Sequence, residues 1–142
     1  MFLNLNHYKL DVYKSARELR FECYKIISRL PAEERYNLTD QIRRASTSVV
    51  LNITEGCSRK SETERKRYFE ISRGSVIELD SCFDIVIECD YVKKENLDKI
   101  EKLVKTTFIL LSGMLKSYHS GDRVSGEDAL HLSALLDRHD EA

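Results

Sequence analysis

Apolar and small residues recur along the chain in alternating steps of four and three. The first set is Val12, Ala16, Leu19, Cys23, Ile26 and Leu30, a spacing that lines them along one side of a helix. The pair Leu30-Pro31 predicts its end, because the residue before a proline is pushed out of helical geometry. The segment PAEE then offers a proline and acidic groups suited to a helix start. The second stripe is Leu38, Ile42, Ala45, Val49, Asn52 and Gly56. Gly56 is placed to stop that helix, since a glycine just past the last turn readily takes the left-handed conformation a helix end requires.

Ser61-Glu62-Thr63-Glu64 fits a capping box and opens a third helix. Its pattern runs to about Tyr91, with Tyr68, Ile71, Ser75, Leu79, Cys82, Val86 and Cys89 expected inward and Phe69, Val76 and Phe83 on a second apolar line. Asn96 is the expected cap of a fourth helix. Its stripe is Leu97, Ile100, Val104, Thr107, Leu111, Met114 and Tyr118, flanked by Leu103, Phe108, Leu110 and Leu115. Four amphipathic helices joined by short connections predict an all-α fold, an antiparallel up-down-up-down four-helix bundle over residues 1–120. The remainder, 121–142, reads as a linker and a mobile tail, or as a small fifth helix that docks through Leu130, Leu132, Leu135 and Leu136.

The chain of 142 residues suits one domain with a real core. A third of it is charged, the formal net charge is −1, and Pro31 is the only proline. Near-neutral charge gives no global field to attract nucleic acid, so any such binding must come from a local patch. Cys23, Cys57, Cys82 and Cys89 show no CxxC spacing, and the N-terminus lacks the pattern of a signal peptide, which together predict reduced thiols in a cytoplasmic protein. Thr106–Leu115, the longest uncharged run, is about half of the roughly 20 residues a membrane span needs, so no membrane is expected.

Motifs for catalysis are sparse. No Glu-x-x-His, C-x-x-C-H, nucleophile elbow or glycine-rich phosphate loop occurs, and neither a metal nor a cofactor is expected. The thiols read as small core residues. Asn52 on the second stripe needs partners, with Ser48, Ser75 and Glu78 as candidates across the hairpin. Such a cluster serves either to fix helix register or as the nucleus of a catalytic pocket. Gly74 inside the third helix predicts close approach to the second, where Ala45, Ser46 and Ser48 are small.

The basic residues Arg43, Arg44, Arg59, Lys60, Arg65, Lys66, Arg67 and Arg73 form a candidate nucleic-acid surface. Arg73 is the residue expected to meet Arg43 or Arg44 and extend the patch into a stripe. Between Glu78 and Glu101, by contrast, eight acidic residues face three lysines. That segregation also suits head-to-tail association, with the arginines serving a neighbouring subunit instead of RNA.

The string LPAEERYNLTDQIRRASTSVVLNITEGCSRKSETERKRYFEISRGSVIEL resembles the four-helix-bundle proteins encoded within intervening sequences of bacterial 23S ribosomal RNA genes. The matching positions are Pro31, Glu34, Leu38, Gln41, Ile42, Arg43, Arg44, Ala45, Ser48, Asn52, Ile53, Glu55, Gly56, Gly74, Ser75, Glu78 and Leu79, within a resemblance that covers roughly residues 8 to 120. Thr54 stands where an alanine is usual, and Val49-Val50 where Ile-Pro is common, a change that should leave the second helix straighter. The resemblance implies a non-enzymatic homo-oligomer, a pentameric ring, with RNA or DNA contact. A related accessory protein of diversity-generating retroelements also binds a reverse transcriptase, which makes such an enzyme a possible partner by analogy.

Overall fold

The structure, a computed structural model, describes residues 2–120. Four long helices carry the fold: α1 (Asp11–Ile27), α2 (Leu38–Ser58), α3 (Glu62–Glu88) and α4 (Asp98–Ser120), with single 3-10 turns at Asn6–Lys9, Ala32–Glu34 and Lys94–Leu97. Each helix packs on its neighbour in sequence, and α4 closes the square against α1. This is the expected antiparallel four-helix bundle. The tail expected at 121–142 lies outside the described residues. Among the described residues no helix is long and apolar enough to cross a membrane.

The stripes of α1 and α2 form the core as the spacing requires. Ala16, Leu19, Cys23, Ile42, Val49 and Ile53 are wholly buried, and they meet Leu79, Val86 and Leu111 from the other two helices. In α3 the inward face lies between the two lines read from the sequence. Phe69, Ser72, Val76, Leu79, Phe83 and Val86 point in, whereas Ile71 is 42% exposed and Cys89 lies on the surface. Ser72 lies on that inward face, and its hydroxyl donates to the Val49 carbonyl at 2.7 Å in the buried seam with α2. Ile71, its neighbour in sequence, falls on the outward side.

Helix ends differ from expectation where other groups do the capping. α1 stops at Ile27, three residues early, and Leu30 N–H closes the turn on the Ile27 carbonyl. Glu34 caps α2 by accepting from Leu38 N–H at 3.2 Å, while its other oxygen accepts from the Tyr91 hydroxyl at 3.1 Å. One carboxylate thus fastens the α3–α4 connection to the α1–α2 connection. α3 ends at Glu88 in a Schellman arrangement: Tyr91 N–H donates to the Val86 carbonyl, Asp90 N–H to that of Ile87, and Asp90 takes φ 56°. Asn96 does not cap α4, because it lies inside the 3-10 turn that precedes Asp98. The capping box at Ser61 forms as predicted, with Glu64 N–H donating to the Ser61 hydroxyl at 3.1 Å.

Neither hairpin glycine plays the role expected of it. Gly56 lies inside α2, which runs on without a break to Ser58, and a Cβ placed on it would stand 2.5 Å from Phe69 Cε1. Close approach of α3, not a helix stop, requires this glycine. Gly74, expected to provide that approach, has nothing within 4 Å of the Cβ position and lies exposed.

Candidate nucleic-acid interface

The turn between α2 and α3 concentrates five of the eight candidate cations: Arg59 and Lys60 in the connection, Arg65, Lys66 and Arg67 in the first turns of α3. Arg59 is held on one side by Glu55 at 3.0 Å and on the other by the Tyr68 hydroxyl at 3.2 Å, with its guanidinium 4.9 Å above the Tyr68 ring. Arg65 is half-buried and close to both Cys57 at the end of α2 and Tyr118 at the end of α4. Burial pushes both the Cys57 thiol and the Tyr118 phenol up, and the positive charge of Arg65 opposes both shifts. Lys66 reaches Glu70 only loosely, at 3.9 Å. Lys60 and Arg67 stand exposed with no ion pair among the described residues. Glu62 and Glu64 lie in the same first turn and moderate the field.

The other three candidates lie elsewhere. Arg44 is exposed on α2 and paired with Asp40 at 3.0 Å. Arg43 faces α1, where its charge helps hold the Tyr24 hydroxyl below its ordinary range, after the larger effect of the hydrogen bond with Thr47. Arg73 faces α4: its Nε donates to the Ser112 hydroxyl at 2.9 Å and its guanidinium lies 4.5 Å over the Phe108 ring. The stripe joining Arg73 to Arg43 or Arg44 therefore does not form. The α3 face that carries Arg73 is the one turned from α2, so it cannot extend the patch along the hairpin.

Sequence reasoning missed a second basic cluster, on the α1–α2 edge. Arg20 lies 4.3 Å over the Tyr24 ring and its Nε donates to the Thr47 hydroxyl at 3.3 Å, with Arg43 beside them. The signal was present in the four-residue spacing of Arg20 and Tyr24, but the opposing Thr47 and Arg43 are legible only once the two helices are paired.

The polar cluster is real and smaller than expected. Ser48 and Ser75 hydroxyls are 2.8 Å apart, Asn52 Nδ2 donates to the Ser48 carbonyl at 2.9 Å and to its hydroxyl at 3.0 Å, and Ser75 donates to the Ile71 carbonyl at 3.1 Å. Glu78 is not part of it: its position on α3 turns it outward, where it is exposed. Ser72 is a third hydroxyl of the seam, bonded separately to the Val49 carbonyl. These groups bond to each other and to backbone. The groove of about 170 Å³ between α3 and α4 lies elsewhere, with Phe83, Ile87, Leu97, Ile100 and Val104 in its walls and Asp80, Asp84 and Glu101 among its charged groups.

Beside the cluster runs an outward line of α3 made of Ile71, Gly74, Glu78 and Ile85. Ile71 and Ile85 are 42% and 45% exposed, and on α2 Leu51, three residues from Ser48, is 56% exposed. Among the described residues nothing covers these exposed side chains.

A family model described as 23S rRNA-intervening sequence protein matches residues 8–113. No curated protein matches the chain.

Proposed function

Because the chain belongs to the 23S rRNA-intervening sequence protein family, we propose that it is a non-enzymatic, homo-oligomeric module that contacts structured RNA or DNA through the α2–α3 turn. The observation that carries the reading is the set Lys60, Lys66 and Arg67, cations weakly matched or unmatched by carboxylates among the described residues and gathered with Arg65 at one end of the bundle. Exposed cations of this kind contact phosphates, and the Tyr68 ring beside them is engaged by Arg59. Binding is salt-sensitive and weakly sequence-specific. The oligomer is a ring of five copies in the cytoplasm, in line with the family resemblance.

A second reading is favoured by the open edge of the hairpin. Gly74, with nothing within 4 Å of its Cβ position among the described residues and flanked by exposed Ile71, is the kind of surface a second copy of the chain covers. In that case the protein is an assembly scaffold, and the basic turn meets the acidic end of the next subunit.

Light scattering coupled to size exclusion, with a labelled RNA hairpin over a salt series, separates the two. The triple variant Lys60→Glu, Lys66→Glu, Arg67→Glu is expected to keep its mass and lose RNA affinity by about tenfold or more at low salt, with a salt slope shallower by roughly 0.7–0.9 for each lost phosphate contact. Loss of the oligomer with this variant, and no RNA bound by the native chain, would leave the scaffold reading alone.

A further inference from the structure

The side of α1 that meets α2 is built from arginine and tyrosine. Tyr13, Arg17, Arg20 and Tyr24 follow one another at helical spacing and share one line of α1, and α2 presents Arg43 and Thr47, one turn apart. Hydrogen bonds join the two lines: the Thr47 hydroxyl accepts from Arg20 Nε at 3.3 Å and lies 3.2 Å from the Tyr24 hydroxyl. The Arg20 guanidinium lies 4.3 Å over the Tyr24 ring, and that of Arg17 lies 5.9 Å from the centre of the Tyr13 ring.

The carboxylates of both helices are engaged elsewhere. Glu18 and Glu22 turn to Lys99 on α4, Asp40 pairs with Arg44, and Glu55 pairs with Arg59. Asp11, at the start of α1, stands about 9 Å along the helix axis from Arg17. Arg17, Arg20 and Arg43 therefore form no ion pair among the described residues. Three like charges without a counter-charge favour an anion between them. Arg20 is already fixed by the Thr47 bond and the ring beneath it, so its planar fork loses little freedom on taking a phosphate. The hydroxyls add a donor, because only one of the two O–H protons of Tyr24 and Thr47 lies between their oxygens.

We infer that the α1–α2 seam is a second phosphate site, in which Arg17, Arg20 and Arg43, with a hydroxyl of the Tyr24–Thr47 pair, hold successive phosphates of one nucleic-acid strand. The dimensions fit. From Arg17 to Tyr24 the seam extends about 10 Å, and one strand of a duplex advances about 3.4 Å per nucleotide. The site also differs from the α2–α3 turn, where Glu62 and Glu64 stand among the cations and Arg59 is closed by Glu55. The strand as occupant rests on the nucleic-acid reading, whereas the phosphate site does not.

Tyr24 reports on the seam directly. Its phenol is held below the ordinary 10 by the hydrogen bond with Thr47 and then by the charges of Arg20 and Arg43, against the opposing influence of burial, so an anion among those arginines raises its titration. In the full chain labelled with carbon-13 at tyrosine Cζ, tripolyphosphate is expected to move the Tyr24 resonance and raise that titration. A labelled RNA hairpin at neutral pH is expected to move the same resonance, with Tyr91, bonded to Glu34 at the far end of the bundle, unmoved by either. Oligoaspartate of equal charge is expected to bind the seam about tenfold more weakly. The double variant Arg17→Gln, Arg43→Gln alters two exposed side chains outside the core. It is expected to keep the native mass and to bind RNA about tenfold more weakly at low salt, with a salt slope shallower by roughly 0.7–0.9 for each lost phosphate contact. Arg20→Lys keeps the charge without the fork, and is expected to keep the slope and lose about threefold in affinity.

RNA bound with Tyr24 unmoved and full affinity in the double variant would overturn the seam and leave the turn as the binding site. Oligoaspartate acting as strongly as tripolyphosphate would assign the arginines to an acidic protein and overturn the inference, as would a double variant that loses mass instead of RNA. Tripolyphosphate moving Tyr24 in a chain that binds no RNA would uphold the phosphate site and remove the nucleic-acid reading. No response to either probe would remove both.

Discussion

Two seams of the bundle are joined by different chemistry. Between α2 and α3 the contacts are small and neutral: Gly56 against Phe69, the Ser48–Ser75 hydroxyl pair, and Ser72 on the Val49 carbonyl. Between α1 and α4 the contacts are charged. Lys99 donates to Glu22 at 3.0 Å and reaches Glu18 at 3.2 Å, Lys25 adds a second ammonium to Glu22 at 3.0 Å, and Ser15 meets Thr107 at 2.7 Å. The neutral seam depends on distance and is blind to pH. The charged seam depends on protonation and tolerates some freedom of position, because its long side chains adjust. The neutral, pH-independent seam is the one that runs up to the α2–α3 turn.

The largest effect should come from breaking the neutral seam. In Gly56→Ala the new methyl would lie 2.5 Å from Cε1 and 2.8 Å from Cδ1 of Phe69, a ring that is itself 1% exposed and stacked on Tyr118. Overpacking of this kind costs about 1–3 kcal/mol, and the better helix propensity of alanine returns up to about 1 kcal/mol. A net loss of about 1–2 kcal/mol is expected from denaturant unfolding at fixed protein concentration. The double variant Gly56→Ala, Phe69→Leu should be less destabilised than the sum of its parts, because the smaller side chain vacates the contested space. Additive effects would mean that Phe69 is not what Gly56 accommodates.

The charged seam should respond to acid. Glu22 is held below its ordinary 4.5 chiefly by the hydrogen bond from Lys99, with Lys25 adding to the effect against the opposing influence of burial. A carboxylate with a depressed folded pKa contributes stability that is complete above its unfolded value and disappears as pH falls through the folded one. The native chain should therefore exceed Glu22→Gln in stability by about 1 kcal/mol near neutral pH, a figure reduced because Lys25 and Lys99 are more than half exposed. The gap should begin to close as pH falls past the ordinary 4.5 and vanish once it has fallen through the lower folded value, in a series of unfolding curves. A gap that persists in acid would assign the effect to packing and not to charge.

These seams also mark what was legible in the sequence. The four helices and most of their core positions follow from the spacing of apolar residues, as Ala16, Leu19, Ile42, Val49, Leu79 and Leu111 illustrate. The capping box at Ser61 was legible because all its members are local. Pairwise facts across helices were not. Glycine spacing alone cannot say whether a residue ends a helix or makes room for a ring on another, and so the close approach expected at Gly74 is found at Gly56, the expected helix stop. The rotation of α3 that exposes Ile71 and sets Ser72 against the Val49 carbonyl is likewise a fact of two helices. For the candidate site, the cluster at the turn was visible as a run of basic residues. The diversion of Arg73 to Phe108 and of Arg43 toward Tyr24 was not, since both partners lie on helices distant in sequence.

The smallest expected effect carries the most information about the outer edge of the neutral seam. Gly74 lies in the interior of α3 with open space around its Cβ position among the described residues, so alanine there is expected to stabilise the helix, by up to about 1 kcal/mol of helix propensity. A glycine kept at that cost next to exposed Ile71 and Ile85 is accounted for if a second copy of the chain approaches its backbone. Gly74→Ala should then raise the stability of the dissociated chain slightly and weaken its assembly, so that on dilution the scattering mass falls at a higher protein concentration than for the native chain. Gly74→Leu should shift that point further, because a larger side chain blocks the same approach without touching the fold of the protomer. If both variants gain stability and keep the native mass at every dilution, the open edge of the hairpin is not where copies meet, and self-association would have to run through the charged ends of the bundle instead.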